Sequence, residues 1–121
     1  MQYVGVDIVE IARIERAIAR RGDGFLRRIY TDLELKLCRG KPSSLAARFA
    51  AKEAVMKALD AKNKGVCWRE IEILADSSGK PFVRLYNRAH NRARSLDLDS
   101  LIVSLSHSKE YAIAFVTGEA K

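Results

Sequence analysis

The sequence predicts an α+β fold in which a mainly antiparallel sheet packs against one long central helix. Three observations carry this. Apolar, strand-like stretches stand near both ends of the chain, at residues 3–9, 101–106 and 111–117. The strongest helical stretch, residues 45–59 (LAARFAAKEAVMKAL), lies between them and is rich in Ala, Leu, Lys, Glu and Met. Two further runs, 68–74 and 81–86, read as strands joined by the polar turn Asp76-Ser77-Ser78-Gly79-Lys80. Elements in this order give the α+β class.

Each element has its own signal. Residues 3–9 are apolar apart from Gly5 and Asp7 and read as a buried strand. From Ile8 the period changes: Ile11, Ile14 and Ile18 recur at helical spacing with arginines between them, an amphipathic helix with a cationic outer face. Gly22-Asp23-Gly24 ends it. Residues 25–30 form a short helical turn, and Thr31-Asp32-Leu33-Glu34 is a capping box opening another short helix toward Cys38. Gly40-Lys41-Pro42 is a break, after which Ser43 or Ser44 is expected to cap the central helix. Residues 60–65 are a polar, basic loop, residues 87–96 a helix, and His107-Ser108-Lys109-Glu110 separates the last two strands.

A chain of 121 residues is expected to form one domain, residues 1–121. A domain this small leaves much apolar surface open unless it self-associates. No apolar run approaches the ~20 residues of a membrane span. The start, Met1-Gln2-Tyr3-Val4-Gly5 with Asp7 close behind, lacks the basic segment of a signal peptide. Cys38 and Cys67 give neither a disulfide framework nor a metal spacing. A cytoplasmic protein with reduced thiols is the expectation.

The net charge of +7 is unevenly spread. Residues 13–28 carry Arg13, Arg16, Arg20, Arg21, Arg27 and Arg28 against Glu15 and Asp23, and Arg84, Arg88, Arg92 and Arg94 form a second cluster. Such patches attract polyanions. Nucleic acid, an anionic membrane and an acidic protein all fit the charge alone.

Three residues sit badly in an ordinary core. At about 100° per residue, Leu45, Phe49, Met56 and Leu59 share a stripe into which Lys52 falls. A buried unpaired charge is costly, so Lys52 either snorkels its ammonium to water or joins Arg48 and Lys57 in an anion site around Glu53. Glu53 and Lys57 by themselves also fit an ordinary helix pair four residues apart. Asp7 stands among apolar neighbours, either as the N-cap of the following helix or as a carboxylate delivered at a strand end. His107 ends a strand between hydroxyls, as a structural residue, a base or a phosphate ligand. Together Asp7 and Glu53 offer carboxylates, and Arg48, Lys52, Lys57 and His107 offer donors. There is no Cys/His cluster for zinc. Carboxylates that work with substrate phosphates suit Mg²⁺, and the chemistry that fits is metal-assisted phosphoryl-type transfer.

Three segments then resemble one family in order and spacing. They are Gly5-Val6-Asp7-Ile8-Val9-Glu10-Ile11 with Arg13-Ile14-Glu15, Arg48-Phe49-Ala50-Ala51-Lys52-Glu53-Ala54 with Lys57-Ala58-Leu59, and Ser104-Leu105-Ser106-His107-Ser108 with Tyr111-Ala112-Ile113-Ala114. The chain resembles the short, single-domain phosphopantetheinyl transferases that act on acyl carrier protein. The resemblance implies that family's fold, in a homotrimer with coenzyme A bound between subunits. It implies transfer of 4′-phosphopantetheine to a serine of the carrier, with release of adenosine 3′,5′-bisphosphate, in support of fatty acid biosynthesis. It implies Mg²⁺ on Asp7 and Glu53, with Lys57 near the diphosphate and catalytic together with those two carboxylates. Arg48, Lys52, Gly65, Ser106 and His107 are implied at coenzyme A, and Arg13, Arg16 and Arg20 on the helix that docks the carrier. The family's Gly-Thr-Gly-like loop is replaced by Asp60-Ala61-Lys62-Asn63-Lys64-Gly65-Val66, which keeps only Gly65. A nucleic-acid-binding module is the competing reading of the positive charge. It gives no reason for Asp7 and Glu53, and an aromatic content of 7% is poor for base stacking. Neither nucleic acid nor a membrane is the expected partner.

Overall fold

The computed structural model describes residues 1–121. Strand β1 (Gln2–Glu10) leads into helices α1 (Ile11–Arg21), α2 (Asp23–Ile29) and α3 (Asp32–Cys38), and then the central helix α4 (Pro42–Leu59). A 3-10 turn (Trp68–Glu70) opens the hairpin of β2 (Ile71–Ala75) and β3 (Pro81–Leu85). Helix α5 (Asn87–Ser95) and strands β4 (Ile102–His107) and β5 (Tyr111–Glu119) complete the chain. All pairing is antiparallel, divided between a three-stranded sheet in the order β1-β5-β4 and the separate two-stranded hairpin. No helix is long and apolar enough to cross a membrane.

Small residues let α4 lie close on the sheet. Gly5 of β1 packs so near that a Cβ there would stand 1.9 Å from the carbonyl oxygen of Ala54. Ala50, Ala51, Ala54 and Ala58 of α4 are buried, as are Ala112 and Ala114 of β5. Contacts on the other sides of α4 bury it almost all round, so the apolar stripe of the sequence is only part of its buried surface.

Several local expectations change. The Thr31–Glu34 capping box forms as expected, with both reciprocal bonds present. Neither Ser43 nor Ser44 caps α4. Lys41 occupies the N-cap, and Pro42 begins the helix where its missing N–H costs nothing. Asp7 caps no helix, because β1 runs on to Glu10. Trp68–Glu70 is a 3-10 turn rather than the start of a strand.

Lys52 overturns both readings of it. Its side chain has 0% exposure, so it neither snorkels nor reaches a coenzyme A phosphate. Its ammonium lies 2.7 Å from Oε1 of Glu34, which is equally buried, and donates to the carbonyls of Trp68 (3.1 Å) and Ile71. Glu34 Oε1 also accepts from the Thr31 N–H and Oε2 from the Ile73 N–H. Burial pushes the Lys52 ammonium below the ordinary lysine range, against the opposing pull of the Glu34 carboxylate. A second buried acid, Glu72, accepts from the hydroxyls of Thr31 and Tyr86.

Breaking a buried pair from one side leaves an uncompensated charge. Lys52→Met should therefore lower unfolding free energy by about 3–5 kcal/mol, measured by urea unfolding at one fixed protein concentration. Adding Glu34→Gln should return part of the loss. A single variant within about 1 kcal/mol of the parent, the scale of an exposed pair, would show that the pair does not hold these elements together.

Candidate functional site

The alternation of β1 turns Tyr3, Gly5, Asp7 and Val9 toward α4 and Val4, Val6 and Ile8 away from it. Asp7 thus reaches α4 at the level of Lys57. The Lys57 ammonium donates to Oδ1 of Asp7 at 3.1 Å and to the Val6 carbonyl at 3.0 Å. The Asp7 side chain is 19% exposed and that of Lys57 47%, so the pair lies at the surface end of the β1–α4 seam. Glu53 is one helical turn before Lys57 and only partly buried. Lys57 pairs with Asp7 rather than with Glu53, so the ordinary helix pair does not form. The fold therefore gathers Asp7, Glu53 and Lys57 within one turn of α4.

Arg48 lies further back along α4, partly buried, and its Nε is buried without a hydrogen-bond partner. Ser44, one turn earlier, lines the largest cavity of the chain, about 610 Å³ between α3, the start of α4 and the hairpin. Leu33, Leu37 and Phe82 give this cavity apolar walls, and Arg39 and Lys41 add cations. It is separate from the Asp7–Lys57 contact.

The remaining expected residues are spread out. Gly65 occupies the loop after α4 with φ +74, and the Arg88 guanidinium donates to its carbonyl. Ser106 and His107 end β4 and are both exposed. Ser106 pairs with Ile113, which faces away from α4, whereas His107 pairs with Ala112, which faces it. Ser106 and Asp7 thus lie on opposite faces of the sheet. Arg13, Arg16 and Arg20 share one side of α1 above a shallow cleft of about 250 Å³, floored by Phe25 and Phe49. The Arg13 guanidinium stacks over the Phe49 ring at 5.8 Å. No group of three or more His, Cys, Asp or Glu side chains comes together anywhere in the chain.

The profile of the 4'-phosphopantetheinyl transferase superfamily matches residues 3–116. The chain belongs to this superfamily. It is 49% identical to the holo-[acyl-carrier-protein] synthase of Herpetosiphon aurantiacus, over 98% of both chains. It is 50% identical to that of Dehalococcoides mccartyi, over 98% of this chain and 99% of the relative. The crystal structure of Helicobacter pylori holo-[acyl-carrier-protein] synthase in complex with coenzyme A superposes with a TM-score of 0.87 at 36% identity. That match covers 96% of this chain and 99% of the other.

Sequence reasoning placed Arg88 and Arg92 only in a basic cluster and gave Glu70 no role, yet these three hold the ends of the loop that carries Gly65. Arg92 Nε donates to the Leu59 carbonyl at 2.8 Å. Glu70 accepts from the N–H groups of Cys67 and Arg88. Arg88 and Arg92 stand four apart on a helix beginning at Asn87, which puts them on one face, and that was the available signal.

The two thiols differ sharply. Cys38 is buried, and burial pushes its thiol up to about 11, whereas Cys67 is exposed. At pH 8 only about one Cys38 in a thousand would be thiolate. A maleimide should therefore label one cysteine of the folded protein, Cys67, and the second only in denaturant. Equal labelling of both in the folded state would contradict this placement.

Proposed function

We propose that this protein is a cytoplasmic holo-[acyl-carrier-protein] synthase that moves 4′-phosphopantetheine from coenzyme A to a serine of an acidic acyl carrier protein, in support of fatty acid biosynthesis. The observation that carries this reading is Lys57, held by Asp7 one turn from Glu53, in a chain similar over its whole length to named synthases. The coenzyme A complex of the Helicobacter pylori relative supports the donor.

The donor set fits Mg²⁺. Two carboxylates and no third His, Cys or acid make an incomplete shell, which suits an ion that takes its remaining ligands from water and substrate phosphates. Asp7 and Glu53 would hold it, and when bound it neutralises the diphosphate and polarises the phosphorus next to pantetheine. The Lys57 ammonium, prepositioned by Asp7 and the Val6 carbonyl, stabilises charge on the leaving phosphate. Arg48, partly buried on α4 ahead of Glu53, supplies a guanidinium for a phosphate of the adenosine portion. The carrier serine oxygen forms a bond to the phosphorus bearing pantetheine. The bond to the adenosine bisphosphate oxygen breaks, and the serine proton leaves to a base in the site, beside which Asp7 and Glu53 stand.

The sheet's outer face supports self-association. Val4, Val6, Ile8, Ile102, Ile113 and Phe115 are all at least 40% exposed there. A contiguous apolar face of this kind marks an association surface. Ser106 lies on that same face, away from Asp7, so both serve one coenzyme A only if neighbouring copies share it. A homotrimer with sites between subunits meets that requirement. The arginine face of α1, with Arg13, Arg16 and Arg20, receives the acidic carrier through contacts that steer association and weaken with salt.

Intact mass spectrometry of an apo carrier protein incubated with this protein, coenzyme A and Mg²⁺ tests the reaction. A gain of about 340 Da, lost with EDTA and in folded Asp7→Ala and Glu53→Ala variants, is the expected result. No gain on any of several carriers would end the reading, and near-normal activity in either variant would end the metal assignment. Light scattering should give the mass of three chains, and Phe115→Asp should yield smaller species. A parent protein that remains monomeric at assay concentration would refute the shared site.

A further inference from the structure

The turn that leaves α4 is gripped from outside by α5. A helix C-terminus ends in carbonyls that have no partner within the helix, and a cation there is favoured by the helix dipole. Arg92 meets this need by donating from Nε to the Leu59 carbonyl at 2.8 Å. Six residues on, Arg88 Nη1 donates to the Gly65 carbonyl at 3.0 Å. The Glu70 carboxylate closes the far end, accepting from the Cys67 N–H through one oxygen and the Arg88 N–H through the other, both at 2.6 Å. Inside the loop, Ala61 is fully buried and its N–H donates to the Met56 carbonyl. Lys62, Asn63 and Lys64 are exposed between the two fixed ends.

This arrangement bears on the site because Lys57 belongs to the last turn of α4, and the Asp60 N–H donates to the Lys57 carbonyl. Fraying of that turn moves the ammonium away from Asp7 and Val6. Gly65 fixes the second grip: its φ of +74 suits glycine, and a Cβ would come 3.0 Å from Arg88 Nη1. The structure thus ties Lys57 and the exposed lysines of the loop to two arginines that touch neither Asp7 nor Glu53.

We infer that Arg88 and Arg92 are positioning residues: a two-point clamp that holds the end of α4 and the loop 60–66 so that Lys57, Lys62 and Lys64 face the coenzyme A diphosphate together. The inference rests on the transfer reaction proposed above. It assigns the clamp to coenzyme A rather than to the carrier, because the group it steadies is the lysine beside the Asp7 carboxylate.

The test is steady-state transfer by Arg88→Ala, Arg92→Ala and the double variant, varying coenzyme A and carrier separately. Amide hydrogen exchange over residues 60–66 is followed in parallel. The double variant should raise the KM for coenzyme A by about tenfold, the effect of one charge-assisted hydrogen bond, with a smaller change in kcat. The KM for the carrier and the melting temperature should stay close to the parent's. Exchange in the loop should accelerate, and Arg92→Lys should recover part of the affinity. An unchanged KM for coenzyme A, or loop exchange no faster than the parent's, overturns the clamp while leaving the transfer reaction standing. Parallel rises in both KM values with a lowered melting temperature reduce α5 to general support and also overturn it. A parent protein with no transfer activity removes the reaction and the clamp with it.

Discussion

The buried Lys52–Glu34 pair is the contact on which the rest of the architecture depends. It joins α3 to α4, and through the carbonyls of Trp68 and Ile71 and the N–H of Ile73 it joins both helices to the start of the hairpin. Removing two charges from water costs several kcal/mol for each ion, and only close geometry with further hydrogen bonds offsets it. That requirement leaves α4 little freedom to slide or rotate. Since Glu53 is the next residue and Lys57 follows one turn later, fixing the rotation of α4 about Lys52 also sets which of its side chains meet β1.

A second constraint acts on the opposite side of α4. With Gly5 against the Ala54 carbonyl, the sheet approaches closely enough for Asp7, two residues on and on the same face, to reach Lys57. Alternation along the strand places Val4, Val6 and Ile8 on the far face, where they join Ile113 and Phe115 of the neighbouring strand. The pleat that aims Asp7 at α4 thus also leaves an exposed apolar face on the other side, the surface proposed for association. The proposed site and the proposed association surface are two sides of the same three strands.

Much of this was legible in the sequence, and the gaps have physical causes. Apolar runs, turn residues and helix propensity give the three strands near the chain ends, the hairpin and the central helix, because these are local signals. That the first strand is open on one face, not buried on both, depends on what packs against it. The Thr31–Glu34 capping box is legible for the same reason, but the second oxygen of Glu34 and its pairing with Lys52 depend on residues far apart in the chain. A lysine among apolar neighbours looks the same in sequence whether it snorkels, binds an anion or is paired in the interior. The absent serine cap has a simpler cause: Pro42 already supplies the first helical residue without an N–H to satisfy. Arg88 and Arg92 announce a common helix face, but their acceptors are backbone carbonyls, which carry no residue signature.

The two lysines of α4 show what separates a structural charge from a usable one. At 100° per residue, Lys52 and Lys57 point about 140° apart around the helix. An ammonium has three N–H donors and no acceptor. At Lys52 all three have partners, in Glu34 and the carbonyls of Trp68 and Ile71, and no part of the side chain meets solvent. At Lys57 two are directed to Asp7 and the Val6 carbonyl, and nearly half of the side chain is open. The two bonds orient the ammonium and leave its third donor for the phosphate of the proposed reaction. A group that is held but not saturated costs little to reorganise when charge develops beside it, which is the condition for electrostatic stabilisation of a transition state. Lys52 has the stronger interactions, yet the partial coordination of Lys57 is what suits it to the proposed chemistry.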